Sequence, residues 1–238
     1  MKNHFFSFYL TTFAFNYFCI EIIRKAMKTL ERLIADKLLQ IKAVKLQPEN
    51  PFTWASGWKS PIYCDNRKTL SYPAIRRIIK IELARLICEN HPEATAIAGV
   101  ATGGIAQGAL VADILGLPFV YIRSAPKDHG LENLIEGELK PDSKVVIIED
   151  LVSTGGSSLK AVQAVRNFGC DVIGMLAIFT HGFPIAEKMF KEAKVPLITL
   201  SNYNAVIEEA VRTKYITEDD VAILQEWRKD PANWDPDK

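Results

Sequence analysis

The chain has 238 residues, 48% of them apolar, and its 29 basic and 28 acidic residues leave a formal charge of +1. This length suits one α/β domain with a full core, and the even charge balance lacks the broad basic surface of a non-specific nucleic-acid binder, so no nucleic acid is expected as a partner. Cys19, Cys64, Cys88 and Cys170 show no CxxC spacing, which argues against a zinc site or disulfide framework and for reduced thiols in a cytoplasmic protein.

Residues 1–26 stand apart from the rest. HFFSFYLTTFAFNYFCI is an aromatic, weakly polar run with no charge until Glu21. No small-x-small cleavage site follows it, and Asn16 with several hydroxyls weakens a membrane span, which needs about 20 apolar residues. No membrane partner is expected. The working start is expected at Met27, with residues 1–26 an extension and residues 27–238 the domain. From Met27, an amphipathic helix is predicted with Leu30, Leu33, Ile34, Leu38 and Ile41 on one face.

Helical spacing recurs in Ile75, Ile78, Ile79, Leu83, Leu86 and Ile87. Strand-like runs follow at 95–100, 118–122, 144–149, 171–179 and 196–200, with helical patterns between them. The alternation predicts a central parallel sheet flanked by helices on both faces. Pro118, Pro141, Pro184 and Pro196 punctuate element starts, and the tail ILQEWRKDPANW reads as a helix that stops before Pro231.

The richest stretch is VVIIEDLVSTGGSS, residues 145–158. Val145 to Ile148 read as a buried strand, placing Glu149 and Asp150 at its carboxyl end, where open α/β sheets bind ligands. Leu159, Val162, Val165 and Phe168 carry helical spacing from Ser157 onward. Between strand and helix, Ser153, Thr154, Gly155, Gly156 and Ser157 offer hydroxyls, backbone N–H groups and the positive end of a helix dipole, a cradle for phosphate. Carboxylates beside an anion site need a reason, and vicinal ribose hydroxyls that donate to them supply one. The alternative is a pair of solvated carboxylates closing a strand. Neither a Walker loop nor a dinucleotide fingerprint fits the spacing.

A second segment begins where Phe119 to Ile122 end in Arg123, followed by RSAPKDHG and a polar stretch with little periodicity up to Ser143. Arg123, Lys127 and His129 put two fixed cations and a titratable ring on what reads as a mobile basic loop, suited to clamping a pyrophosphate. A solvated charged loop is the alternative for this segment taken alone.

The strand, acidic pair and hydroxyl-glycine loop of 145–158 resemble the phosphoribosyl pyrophosphate (PRPP) motif of the type I phosphoribosyltransferases. The arginine-x-x-x-lysine-x-histidine-glycine loop resembles that of the orotate phosphoribosyltransferases within that family. NPFTWASGWKSPIYCDNRKTLSYP, residues 50–73, looks like their hood, and AIAGVATGGIAQGALVADILGLP, residues 96–118, like their first core strand, pyrophosphate loop and following helix. The resemblance runs from about Met27 to the C-terminus. It implies the type I fold with a small N-terminal hood, and transfer of the 5-phosphoribosyl group from PRPP to orotate in pyrimidine synthesis.

The same resemblance implies roles. Glu149 and Asp150 hold the ribose hydroxyls; Leu151 to Ser157 line the substrate; Thr154, Gly155, Gly156 and Ser157 take the 5′-phosphate, and Ser153 contacts orotate. Gly103 and Gly104 open backbone N–H groups to pyrophosphate, and Lys127 with Arg123 and His129 clamps it. Mg²⁺ is the implied cofactor, held mainly by PRPP and water with no protein cage, and the implied assembly is a homodimer with shared active sites. Where some members carry a lysine, a tyrosine-lysine pair and a further basic residue, this chain has Ala55, Thr102 with Gly103, and Ser124. Lys59 is balanced between substrate contact and surface charge, and His181 reads as a surface-loop residue more readily than as part of the base pocket. A purine phosphoribosyltransferase would differ in the hood, a PRPP-sensing regulator would not need the Lys127 loop, and a fused decarboxylase barrel has no room in 238 residues.

Overall fold

The computed structural model describes residues 25–54, 56–125 and 134–236, so nearly all of the extension lies outside the described residues. Helix α1 covers 25–40. It is followed by strands β1 (Val44–Leu46), β2 (Phe52–Thr53), β3 (Lys59–Ser60) and β4 (Ile62–Cys64), and by a 3-10 turn over Asn66–Ser71. The alternating region then runs α2 (Pro73–Asn90), β5 (Ala96–Val100), α3 (Gly103–Leu115), β6 (Phe119–Ile122), β7 (Ile135–Glu136), β8 (Lys144–Val152) and α4 (Gly156–Asn167). It closes with β9 (Asp171–Thr180), α5 (Pro184–Glu192), β10 (Leu197–Asn202), α6 (Tyr203–Arg212) and α7 (Glu218–Lys229).

Six strands form the central sheet in the order β10-β9-β8-β5-β6-β7. All neighbours are parallel except β7, which pairs antiparallel with β6 at the edge. The predicted runs at 95–100, 118–122, 144–149, 171–179 and 196–200 are its five parallel strands. β7 has no counterpart in that reading, because two residues are too few to show a period.

Alternation along each strand divides the core in two. Ile97, Val146, Ile148, Leu176 and Ile178 face a cluster shared with α1, α2, α3, α6 and α7. Ala98, Val145, Ile147, Met175 and Ala177 face a second cluster shared with α4 and α5. Both faces are covered, which is why the strands read as continuous apolar runs. On α1 and just past its end, Leu30, Ile34, Leu38 and Ile41 are buried, each full burial contributing roughly 1.5–3 kcal/mol, whereas Leu33 is 41% exposed. The predicted stripe is thus narrower than expected by one residue.

Two small antiparallel pairs, β1 with β4 and β2 with β3, make up the N-terminal unit expected as a hood. The tail helix matches its prediction: α7 ends at Lys229, before Pro231, with a capping box between Thr217 and Asp220 at its start.

Candidate active site

β8 carries the acidic pair to the carboxyl edge of the sheet and then continues. β9 is long enough to pair with it further on, setting Glu149 opposite Ala177, Leu151 opposite Phe179 and Val152 opposite Thr180. The strand therefore runs on to Val152 and the pair stands within it rather than at its carboxyl end, a correction to the sequence reading. Val152 is buried, and its carbonyl accepts from the His181 N–H at 3.1 Å and the Thr180 hydroxyl at 3.0 Å. Ser153 and Thr154 are half-buried in the turn, and Ser157 is exposed. Gly155 precedes α4 with φ 87°, a left-handed value that side chains disfavour. No side chain caps α4, so the N–H groups of its first turn remain available to an anion.

Glu149 is 5% exposed. Its two oxygens accept from the Asp150 N–H at 3.0 Å and from the Ser158 hydroxyl at 3.2 Å. Ser158 was not singled out by sequence; its place one turn into α4 turns it back toward the strand. β5 is the parallel neighbour of β8, so the start of α3 lies beside the pair. There the Ala101–Thr102 peptide is cis, and α3 begins at Gly103 and Gly104. A methyl group at Gly103 would overlap the Asp150 carboxyl group, so only glycine lets the α3 start come this close.

Arg123 follows β6 on the same edge of the sheet. Its N–H donates to Leu134 O at 2.8 Å, and its guanidinium lies 3.6 Å from Glu136. Lys127 and His129 lie outside the described residues, as does Ala55.

The N-terminal unit reaches the pair directly. The buried Asn66 amide donates to the Asp150 carbonyl at 2.6 Å and accepts from the Cys64 thiol at 3.3 Å. Thr69 donates to the Asn66 carbonyl at 2.6 Å and accepts from Gln107 of α3 at 3.2 Å. Arg67 pairs with Asp65 at 2.7 Å. No local pattern marks Asn66, because its partner lies 84 residues away. Tyr63 is 37% exposed, and Lys59 turns its ammonium to Thr53 on its own hairpin at 3.0 Å.

His181 corrects the sequence reading. It is 1% exposed, stacked on Phe183 at 5.4 Å and against Trp54 at 5.1 Å, with Phe179 and Trp227 edge-on. The reason is that β9 is covered by the N-terminal unit and α7 at its end, so the residue after Thr180 lands inside an aromatic cluster.

Residues 70–213 match the model of the phosphoribosyl transferase domain family. An orotate phosphoribosyltransferase of Porphyromonas gingivalis is 71% identical over 208 residues, 87% of this chain and 99% of that one. The Bacteroides thetaiotaomicron enzyme of the same name is 70% identical, covering 89% of this chain and all of the relative (100%). Among solved structures, the orotate phosphoribosyltransferase of Aeropyrum pernix superposes with a TM-score of 0.68 at 26% identity, covering 77% of this chain and 99% of that one. Leishmania donovani UMP synthase gives 0.73 at 25% identity, covering 91% of this chain and 46% of that longer chain.

Burial, then the Asp150 charge, pushes Glu149 up to about 8, and burial also raises Asp150. Both shifts oppose full ionisation of the pair. Burial, then the Arg228 charge, lowers His181 to about 3 from 6.5. The two act on stability in opposite directions. Glu149 binds its proton more tightly folded than unfolded, so its contribution is full below about pH 4.5 and is lost as pH rises toward 8. His181 refuses a proton that the unfolded chain accepts, so stability falls as pH drops from about 6.5 toward 3. Each slope is at most about 1.4 kcal/mol per pH unit. Urea unfolding of the ligand-free protein should show Glu149→Gln flattening the loss between pH 6.5 and 8, and His181→Phe flattening the loss between pH 6 and 4. Unchanged slopes in either variant would contradict the assignment for that residue.

Proposed function

The chain belongs to the orotate phosphoribosyltransferases, transferring the 5-phosphoribosyl group from PRPP to orotate to give orotidine 5′-monophosphate and pyrophosphate, and we propose the following residues for that reaction. The observation that carries the assignment of roles is the meeting of three elements. Asp150 lies against the start of α3 at Gly103, Glu149 is held by Ser158 of α4, and Asn66 of the hood grips the Asp150 carbonyl.

Displacement at the anomeric carbon builds positive charge on the ribose and negative charge on the departing pyrophosphate, and preorganised opposite charge stabilises each. Glu149 and Asp150 accept from the ribose hydroxyls and face the developing cation. The turn Ser153 to Ser157 receives the 5′-phosphate through the uncapped N–H groups of α4, with Leu151 and Val152 setting where that turn begins and Ser153 nearest the base. Gly103 and Gly104 present backbone N–H groups to the pyrophosphate, and Arg123, Lys127 and His129 supply its cations. The base lies under the hood at Tyr63 and Cys64, held largely by backbone groups.

The donor set at the ribose site, two adjacent carboxylates, fits hard Mg²⁺ arriving with PRPP and keeping its waters; when bound, it shields the pyrophosphate charge. The domain is 27–238, the enzyme works in the cytoplasm, and a homodimer shares its sites so that Lys127 of one subunit serves the other. Among the described residues, no helix is long and apolar enough to cross a membrane.

Orotate absorbance should fall on adding enzyme, PRPP and Mg²⁺, with guanine, xanthine and uracil inert. Asp150→Asn and Lys127→Ala should each lower kcat by about 10²-fold or more. Turnover of a purine in place of orotate would refute the substrate assignment. Gly103→Ala forces Asp150 aside, and a shift of about 1 Å costs roughly 10²-fold in kcat/KM; retention of full activity would break the close-approach argument. Mixing Lys127→Ala with Asp150→Asn subunits should restore activity to one site in two of each mixed dimer, and no recovery would exclude shared sites.

A further inference from the structure

The hairpin β2–β3 is two residues per strand, far too small to hold a shape by itself. Within it, Trp54 N–H donates to Trp58 O at 2.9 Å and the Trp54 indole donates to Ile62 O at 3.0 Å. A further anchor comes from the other end of the chain. Trp227 of α7 is fully buried, and its indole N–H donates to Lys59 O at 3.1 Å, a partner 168 residues away. The same ring meets Trp54 edge-on at 5.7 Å, Phe183 at 5.7 Å and Tyr203 at 5.7 Å.

The next residue fixes α7 from the other side. Arg228 donates to Gly182 O at 2.8 Å and to Asn204 at 2.9 Å, and lies 5.3 Å over the Tyr203 ring. Tyr203 in turn donates to Leu224 O at 2.8 Å. Two consecutive residues of α7 therefore hold the hood hairpin and the loop leaving β9. His181, at the centre of that cluster, donates its backbone N–H to Val152 O, two residues past Asp150. The ring cluster thus abuts the strand end that carries the acidic pair. Both the hairpin and α7 lie outside the residues 70–213 shared with the wider phosphoribosyltransferase domain.

We propose that Trp227 is a positioning residue for the base: by pinning the β2–β3 hairpin through Lys59 O and Trp54, the C-terminal helix sets affinity for orotate while leaving affinity for PRPP alone. PRPP is met in that reading by the turn after β8, the start of α3 and the basic loop, whereas the hydrogen bond and ring contacts of Trp227 among the described residues go to Lys59, Trp54, His181, Phe183 and Tyr203. This inference rests on the reading that the base lies under the hood, and the test separates the two.

Trp227→Phe keeps a ring in the cluster and removes the hydrogen bond to the Lys59 carbonyl. Amide hydrogen exchange over 52–64, read relative to β8, should accelerate. KM for orotate should rise roughly 3- to 10-fold, the equivalent of one lost hydrogen bond, with KM for PRPP and kcat within about twofold. Trp54→Phe, which removes the indole bond to Ile62 O, should give the same pattern from the hood side and serves if Trp227→Phe folds poorly. Unchanged exchange over 52–64 would overturn the pin. Equal rises in both KM values would overturn its selectivity. Faster exchange with an unmoved KM for orotate would keep the pin and refute the placement of the base under the hood.

Discussion

Burying two adjacent carboxylates at the edge of a parallel sheet is the constraint around which this molecule is arranged. A buried carboxylate is costly unless its lone pairs are met by donors, and like charges side by side add to that cost. The fold meets the requirement with a backbone N–H and the Ser158 hydroxyl on Glu149. It adds the Asn66 amide on the main-chain carbonyl of Asp150 and the nearby charge of Arg67, which acts to lower the Asp150 pKa against the larger effect of burial. Each donor comes from a different element, so the pair cannot be assembled until α4, the 3-10 turn and β8 have met. Local chemistry at the site and global topology are thereby one condition.

That condition explains why the N-terminal unit, although made of strands of two or three residues, is a fixed part of the site. The 3-10 turn is tied to β8 through Asn66 and to α3 through Thr69 and Gln107. The hairpin above it is tied to α7. Such strands contribute little by themselves; the unit borrows its rigidity from long-range hydrogen bonds and from a buried aromatic cluster, in which ring pairs are worth roughly 0.5–1.5 kcal/mol beyond their burial.

The sheet was legible in the sequence because both its faces are covered, making each parallel strand a bounded apolar run, and because the acidic pair and the glycine-hydroxyl turn sit between a strand signal and a helix signal. Where legibility failed, the cause was a partner distant in the chain. β8 extends to Val152 only because β9 is there to pair with it. Leu33 lies on the predicted apolar stripe of α1, yet the neighbouring elements do not reach it. His181, in a His-Gly-Phe sequence after a strand, has every local mark of a loop residue, and the aromatic cluster that Trp54 and Trp227 join makes it a core residue. Asn66 and Ser158 are of the same kind: their chemistry is ordinary, and their importance lies wholly in which atoms the fold brings to them.

The burial that makes the acidic pair hard to ionise would, in the proposed reaction, also give it catalytic strength. In water, two carboxylates would stabilise a developing ribosyl cation weakly, since at contact distance a unit charge pair is worth about 1 kcal/mol there and about 4 kcal/mol near a protein surface. A pair held in place by Ser158, Asn66 and its own backbone would need little reorganisation if, as proposed, charge develops on a sugar beside it. In the proposed reaction, hydroxyl donors and cationic charge at the ribose would favour the ionised form of Glu149, opposing the effect of burial. The pair is then most strongly stabilised when the ribose is most positive. If the pair serves the ribose as proposed, its place inside the paired strand rather than on the loop beyond it favours the transition state over the ground state.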